Sequence, residues 1–489
     1  MSNNNSRRTF LKRSALGLTG ITIVPGVVMG KATGNSERVS PSDKLNIAAI
    51  GIGGMGRSNI EAMATENMVA FCDVDWKYGA NSFNSYPNAK RYKDYRRMYD
   101  EMGKSIDAVL VATADHTHAI IAADAMVMGK HVYVQKPLTH SVYESRLLTK
   151  LAEKYKVATQ MGNQGASGSG TNRTLEWLWN GEIGEVTRVD ASSDRPIWPQ
   201  GLNRPEREDM IPETLDWDLF IGPAPTRPYN NIYHPWNWRG WWDFGTGALG
   251  DMACHILHVA FEGLQLKYPT KVQGTSTVVM SDCCPTAEKV IYTFPERGVK
   301  DKLKLPEVTV TWYDGGFTPP RPAGADGKDI SNCTIFYGTK DTLICKSHGG
   351  EPWLTSGRIP KAPQKRREIN VSHEQDWIRA CKESPENRVK TTSDFSQAGP
   401  FNEMVVMGVL AVRLQELKKE LLWDGENMRF TNIGTDEKLS FRLKNEFTVT
   451  NGDPRWNNKD TKPVCAQQFA EELIKHNYRE GWKLPDMPI

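Results

Sequence analysis

Between residues 45 and 161, short and mostly apolar runs are separated by stretches of helical period. The runs are 45–50, 68–72, 106–111, 131–134 and 157–161. Strands buried on both faces of a sheet need such composition. Between them the pattern predicts helices over about 55–64, 119–128 and 142–155, and a polar helical stretch from Asp73 to about Gly103. Strand alternating with helix predicts a doubly wound parallel Rossmann sheet over 43–165, with ligands at the C-terminal strand ends.

The rhythm then changes. Period-two segments at 186–192, 271–280, 289–294, 308–312, 333–337 and 342–345 follow one another with turn residues between most of them. They predict a second α+β domain, 166–432, on an open, mostly antiparallel sheet. Helices are expected over 172–180, 247–263, 374–382 and 399–417, the last apolar on one face, with an exposed basic loop at 361–367. Residues 194–245 form a Pro- and Trp-rich insertion almost without period. Residues 433–489 form an extension whose polar tail, from 450 on, is expected to wrap the surface.

The first strand runs into Gly51-Ile52-Gly53-Gly54-Met55-Gly56, a full GxGxxG. Gly51 serves the tight turn, Gly53 the close approach of a pyrophosphate and Gly56 the packing of helix on strand. The N-terminus of the next helix faces the phosphates. The second strand ends in Asp73, 22 residues after Gly51, where a ribose 2′-OH acceptor belongs and where a 2′-phosphate would be repelled. The pattern predicts NAD rather than NADP. Thr113, His116 and His118 follow the third run, and Gln135 and Lys136 the fourth. Asn163 and Gln164 follow the fifth. All lie at the ligand edge, although a histidine there equally caps a helix and Asn163 or Gln164 equally stabilises a turn.

Lys136 precedes Pro137 and could stabilise a developing alkoxide, or simply cap a strand. Asp251 and His255, four apart on one helix, share a face. A carboxylate beside the imidazole would orient it and raise its pKa, suiting it to take a proton from an alcohol. His258 is one turn on, but no carboxylate or cysteine spacing supports a metal site. Just upstream, residues 229–244 read YNNIYHPWNWRGWWDF. Tyr233, His234, Trp236, Trp238, Arg239, Trp241 and Trp242 could stack on and hydrogen-bond a sugar, with about half of the tryptophans expected to fill core instead.

Length permits two or three domains, and a net charge of +3 with 24% charged residues gives no reason to expect a nucleic-acid partner. The eight cysteines show no zinc spacing. Ser6-Arg7-Arg8-Thr9-Phe10-Leu11-Lys12, followed by a modest apolar region, is a twin-arginine signal, so 1–32 is a targeting segment and the protein is expected in the periplasm. That route exports folded proteins, which predicts a cofactor loaded beforehand, held tightly and recycled in place. No later stretch is long and apolar enough for stable membrane insertion.

Together AIGIGGMG, CDVD, ATADHTH, GKHVYVQKP and GALGDMACH resemble, in order and spacing, the Gfo/Idh/MocA oxidoreductases over roughly 43–420. The resemblance implies Lys136 as the lysine of the family's E-K-P motif and Asp251 and His255 as its D-x-x-x-H pair, all three catalytic, with His255 transferring the proton. It also implies homodimers or homotetramers formed through the sheet. Gln135 departs from the usual Glu, and His258 stands where many members carry Asp. The signal and insertion look like the exported, Bacteroidetes-type branch, which includes glycoside 3-dehydrogenases and NAD-dependent glycosidases. The expected activity is NAD-dependent oxidation of a secondary hydroxyl, at C3 of a sugar or glycoside. The alternatives are a redox-neutral glycosidase working by oxidation, elimination, addition and reduction, with Tyr233 or His234 as the extra base, and a non-catalytic NAD- or sugar-binding protein.

Overall fold

The computed structural model describes residues 43–488, so the expected export signal lies outside the described residues. Strands β1 (Asn46–Ile50), β2 (Asn67–Cys72), β3 (Lys90–Tyr92), β4 (Ala108–Val111), β5 (His131–Val134) and β6 (Thr159–Met161) form one sheet in the order β3-β2-β1-β4-β5-β6, every pair parallel. Ala48 and Ile50 enter one core and Ile47 and Ala49 another, which is why β1 carries no polar alternation.

Two local expectations change. The stretch after Asp73 holds two helices, Ala80–Ser85 and Tyr95–Met102, with β3 between them. As an edge strand β3 has solvent on one side, so its Lys90 and Arg91 hide it from an apolar-run reading. The crossover helix is Asp115–Val127, starting four residues earlier than expected. His116 and His118 therefore sit in its first turn, a polar start that reads as loop.

The second domain is a nine-stranded sheet. Its strands are β7 (Val186–Ser192), β8 (Lys271–Ser276), β9 (Glu288–Phe294), β12 (Val308–Tyr313), β13 (Cys333–Gly338), β14 (Thr342–Lys346), β15 (Trp353–Leu354), β16 (Leu421–Asp424) and β17 (Arg429–Phe430). β10 (Gly298–Lys300) and β11 (Leu303–Leu305) make a side hairpin. The order is β15-β14-β13-β7-β12-β9-β8-β16-β17, antiparallel except for the β7–β12 pair.

The helix Phe395–Arg413 joins the two domains, packing on both the helix Val142–Tyr155 and β8. It is buried on nearly all sides from Phe401 to Val412, rather than on one face, and it starts four residues earlier than expected, capped by Asp394. The expected single helix 247–263 is two, Gly247–Ile256 and His258–Gly263, divided at Leu257. The basic loop is mostly exposed, as expected, although Arg366 pairs with Glu262 and Arg367 with Asp376.

The insertion folds around its own aromatic core of Trp217, Phe220, Tyr229, Tyr233, Trp241 and Phe244, with a short α-helix, Trp217–Ile221, and a 3-10 turn, Asn237–Gly240. The C-terminal extension carries a helix, Ala466–Ile474, and brings Trp482 back against Tyr95 and Arg96 of the first domain. No described helix is long and apolar enough to cross a membrane.

Candidate active site

A cavity of about 600 Å³ starts at the glycine loop, crosses the C-terminal ends of β1, β4 and β5, and ends at the helix Gly247–Ile256. Gly51 has φ +77°, and a Cβ there would stand 2.5 Å from the carbonyl oxygen of Ala112. A Cβ on Gly56 would stand 1.9 Å from the Gly51 carbonyl, so helix and strand touch backbone to backbone as expected. Gly53, Gly54 and Met55 line the cavity. The Ile52 side chain does not, because it is fully buried in the core. Only its N–H serves the site, donating to Asp73 Oδ2 at 2.9 Å.

Asp73 thus braces the glycine loop, and its Oδ1 accepts from Asp75 N at 2.9 Å. Burial pushes its carboxyl up to about 6, against the pull of those two N–H donors. Each oxygen keeps a lone pair for a ribose hydroxyl. Glycine cradle, helix N-terminus and Asp73 together fit the dinucleotide that the sequence predicts.

At the far end Lys136 Nζ donates to Asp251 Oδ1 at 2.8 Å and to its carbonyl oxygen at 3.1 Å. The third N–H of the ammonium is left for the cavity. Arg239 Nε donates to the same Oδ1 at 3.1 Å, its guanidinium 4.0 Å from the ring centre of Trp236 and 4.3 Å from that of Trp238. Burial alone would raise the Asp251 carboxyl, but Lys136 and Arg239 overcome it and hold it well below the usual carboxylate range.

His255 is a correction. Its expected partner is spent on the two cations, and no hydrogen bond joins Asp251 to the ring. Burial, then Lys136 and His348, push the imidazole well below its ordinary value. Its buried Nδ1 has no partner, which leaves Nε2 as the nitrogen for a ligand.

Several expected contacts are structural instead. His118 spans from Pro137 O (2.8 Å) to Thr113 O (3.1 Å), tying the Lys136 segment to the neighbouring loop away from the cavity. Asn163 binds Ser393 Oγ at 2.6 Å and Cys254 O, and Gln164 reaches only Met55. Neither lines the cavity, since the β6 loop turns toward the second domain. Tyr233, Trp241 and Trp242 are buried core, the first two in the insertion and Trp242 beneath it. Thr113, His116, Gln135, His234, Trp236, Trp238 and Arg239 do line the cavity. Gln135 is held by Asn59 Oδ1 at 2.8 Å. His116 sets both ring nitrogens against backbone carbonyls of Phe220, Ile221 and Phe244. His234 is held by Asp75 at 3.0 Å. His258 points away, toward Thr171 Oγ1.

Four residues escape sequence reasoning. The Tyr78 ring packs so closely on the glycine loop that a Cβ on Gly53 would lie 2.3 Å from it. Arg195 and Trp198 reach the cavity from the irregular insertion, and His348 from the turn between β14 and β15. Their only signal is residue type, because no period or motif surrounds them.

Residues 45–163 match the Gfo/Idh/MocA domain described as "Oxidoreductase family, NAD-binding Rossmann fold", and 183–303 match its "C-terminal alpha/beta domain". The rhizopine catabolism protein MocA of Rhizobium meliloti is 31% identical over 24% of this chain and 37% of its own length. Glycosyl hydrolase family 109 protein 1 of Akkermansia muciniphila is 26% identical over 32% of this chain and 34% of its own. The chain thus spans little more than a third of the length of either relative. The WlbA dehydrogenase of Bordetella pertussis, solved with NADH and UDP-GlcNAcA, shares the fold at a TM-score of 0.54 and 13% identity, over 78% of this chain and 99% of that one.

Proposed function

We propose that this chain, whose residues 45–163 and 183–303 match the two domains of the Gfo/Idh/MocA oxidoreductase family, oxidises a secondary hydroxyl, at C3 of a sugar or glycoside, with tightly bound NAD. One observation carries the reading: Lys136 and His255 open into the cavity that begins at the glycine loop. A bound nicotinamide supplies the hydride acceptor. His255 Nε2 takes the hydroxyl proton. Lys136 turns its free N–H to the oxygen and stabilises the charge developing there. Asp251, clamped by Arg239, is a positioning residue that aims the ammonium. Trp236 and Trp238 offer faces to the sugar ring. Asp73 favours NAD over NADP. The twin-arginine segment supports export to the periplasm with cofactor already loaded, and the open sheet supports a homodimer or homotetramer.

The test is to quantify dinucleotide released from protein purified without added cofactor, then to follow a panel of glycosides by mass spectrometry. Loss of two hydrogens supports oxidation. Protein that neither retains nor binds NAD, or that changes no sugar's mass, ends the reading. The redox-neutral glycosidase is the second reading, and one observation favours it: a second imidazole, His348, lies beside His255. Free sugar appearing with no net ketone would select it.

A further inference from the structure

His348 is an oddity of backbone and of place. Its φ is +59°, a left-handed conformation seldom taken by a residue with a side chain, although Gly349 and Gly350 follow it. The turn that carries it is pinned at two points. His348 N donates to His255 O at 3.1 Å, and a Cβ on Gly165 would stand 2.5 Å from the His348 backbone. So fixed, the ring lies parallel to that of His255, centres 4.0 Å apart and planes 20° from parallel, on the wall of the same cavity. Nδ1 meets Ser347 Oγ at 3.0 Å, so Nε2 is the nitrogen left for a ligand.

The other candidates for a second base are otherwise engaged. Tyr233 is core, and His234 is held by Asp75 beside Tyr78, at the glycine-loop end. Two stacked imidazoles suit two protons at neighbouring positions of one sugar ring: the hydroxyl proton of the carbon being oxidised and the hydrogen of the next carbon.

We propose that His348 is a catalytic base that removes the hydrogen from the carbon adjacent to the oxidised one. The inference rests on the oxidoreductase reading above. The C–H electron pair moves toward the ketone, whose oxygen gains charge beside Lys136, and the proton passes to His348 Nε2. Return of a proton to that carbon restores the keto sugar. Alternatively, the electron pair forms a C=C bond with the anomeric carbon as its bond to the aglycone oxygen breaks, and that oxygen leaves with its pair and is protonated.

The test uses the full protein with its bound NAD, in D2O, with methyl glycosides of glucose, galactose and their N-acetylamino forms. The wild type should reduce NAD in a single turnover and place deuterium next to the oxidised carbon, read by NMR. His348→Gly, which suits the left-handed backbone, should lose at least 100-fold in exchange but less than tenfold in NAD reduction, and added imidazole should restore exchange. Equal loss of both, exchange undiminished in the variant, or NAD reduction without exchange in the wild type overturns the proposal. No NAD reduction with any sugar overturns the oxidoreductase reading first, and this proposal with it.

Discussion

Lys136 Nζ and Asp251 Oδ1 stand 2.8 Å apart although 115 residues separate them in the chain. The pair bridges the two domains, and Arg239 shares the same carboxylate oxygen. A buried carboxylate that loses one of two cations stays partly compensated.

Lys136→Met is therefore expected to cost about 1–2 kcal/mol of stability, less than the roughly 3–5 kcal/mol of breaking an isolated buried pair. Turnover should fall on the order of 1000-fold with NAD still bound. Denaturant titration and single-turnover absorbance separate the two effects. A parallel loss of NAD would contradict the assignment.

Asp115 gives a pH prediction. Its Oδ2 accepts from Thr246 N and Oγ1 at 3.1 and 2.8 Å, and burial pushes its carboxyl up to about 7, with the Thr246 bond pulling the other way. A carboxyl whose pKa rises on folding contributes stability that is complete below about pH 4 and lost as pH climbs through about 7. Asp115→Asn should flatten that decline. Chemical denaturation at pH 5 and pH 8 would show it, and an unchanged difference would refute it.

Asp73 titrates near 6, so discrimination between NAD and NADP should be full above that pH and shrink below it. Asp73→Asn should narrow the ratio of the two Kd values roughly tenfold at pH 8. Binding measured by fluorescence at pH 5 and pH 8 decides this.

The tryptophans divide by environment. Trp241→Ala should cost about 3–5 kcal/mol by emptying the insertion's core. Trp236 is 45% exposed against Arg239, so Trp236→Ala should cost under about 1 kcal/mol yet weaken glycoside binding about tenfold. Thermal melts alongside sugar titrations distinguish them.

Gly53→Ala should drive its methyl into the Tyr78 ring and cost about 1–3 kcal/mol. Adding Tyr78→Ala should recover stability but not cofactor binding, because the backbone approach stays blocked. Recovery of both would mean that Tyr78 alone, not the pyrophosphate, requires glycine there.

The cofactor half was legible because its chemistry is local. A glycine turn, the helix it opens and Asp73 after the next strand follow from backbone sterics within one βαβ unit. Departures there were at edges and ends. β3 lies at a sheet margin where apolar composition is not required, and His116 belongs to a helix whose polar first turn resembles loop. The aromatic segment was legible only as a composition. Trp236 and Trp241 are five residues apart with the same side chain, yet one faces the cavity and the other fills a core.

The amino-acid order by itself determined the alternating sheet and the glycine cradle, and it marked Lys136, Asp251 and His255 as candidates. Hydrophobic period and steric need are properties of neighbours along the chain. Only the tertiary structure decided that Asp251 serves Lys136 and Arg239 rather than His255, that Asn163 and His118 hold the framework, and that His348 lies against His255. Those relations join residues tens to hundreds of positions apart, and charge and burial act through space.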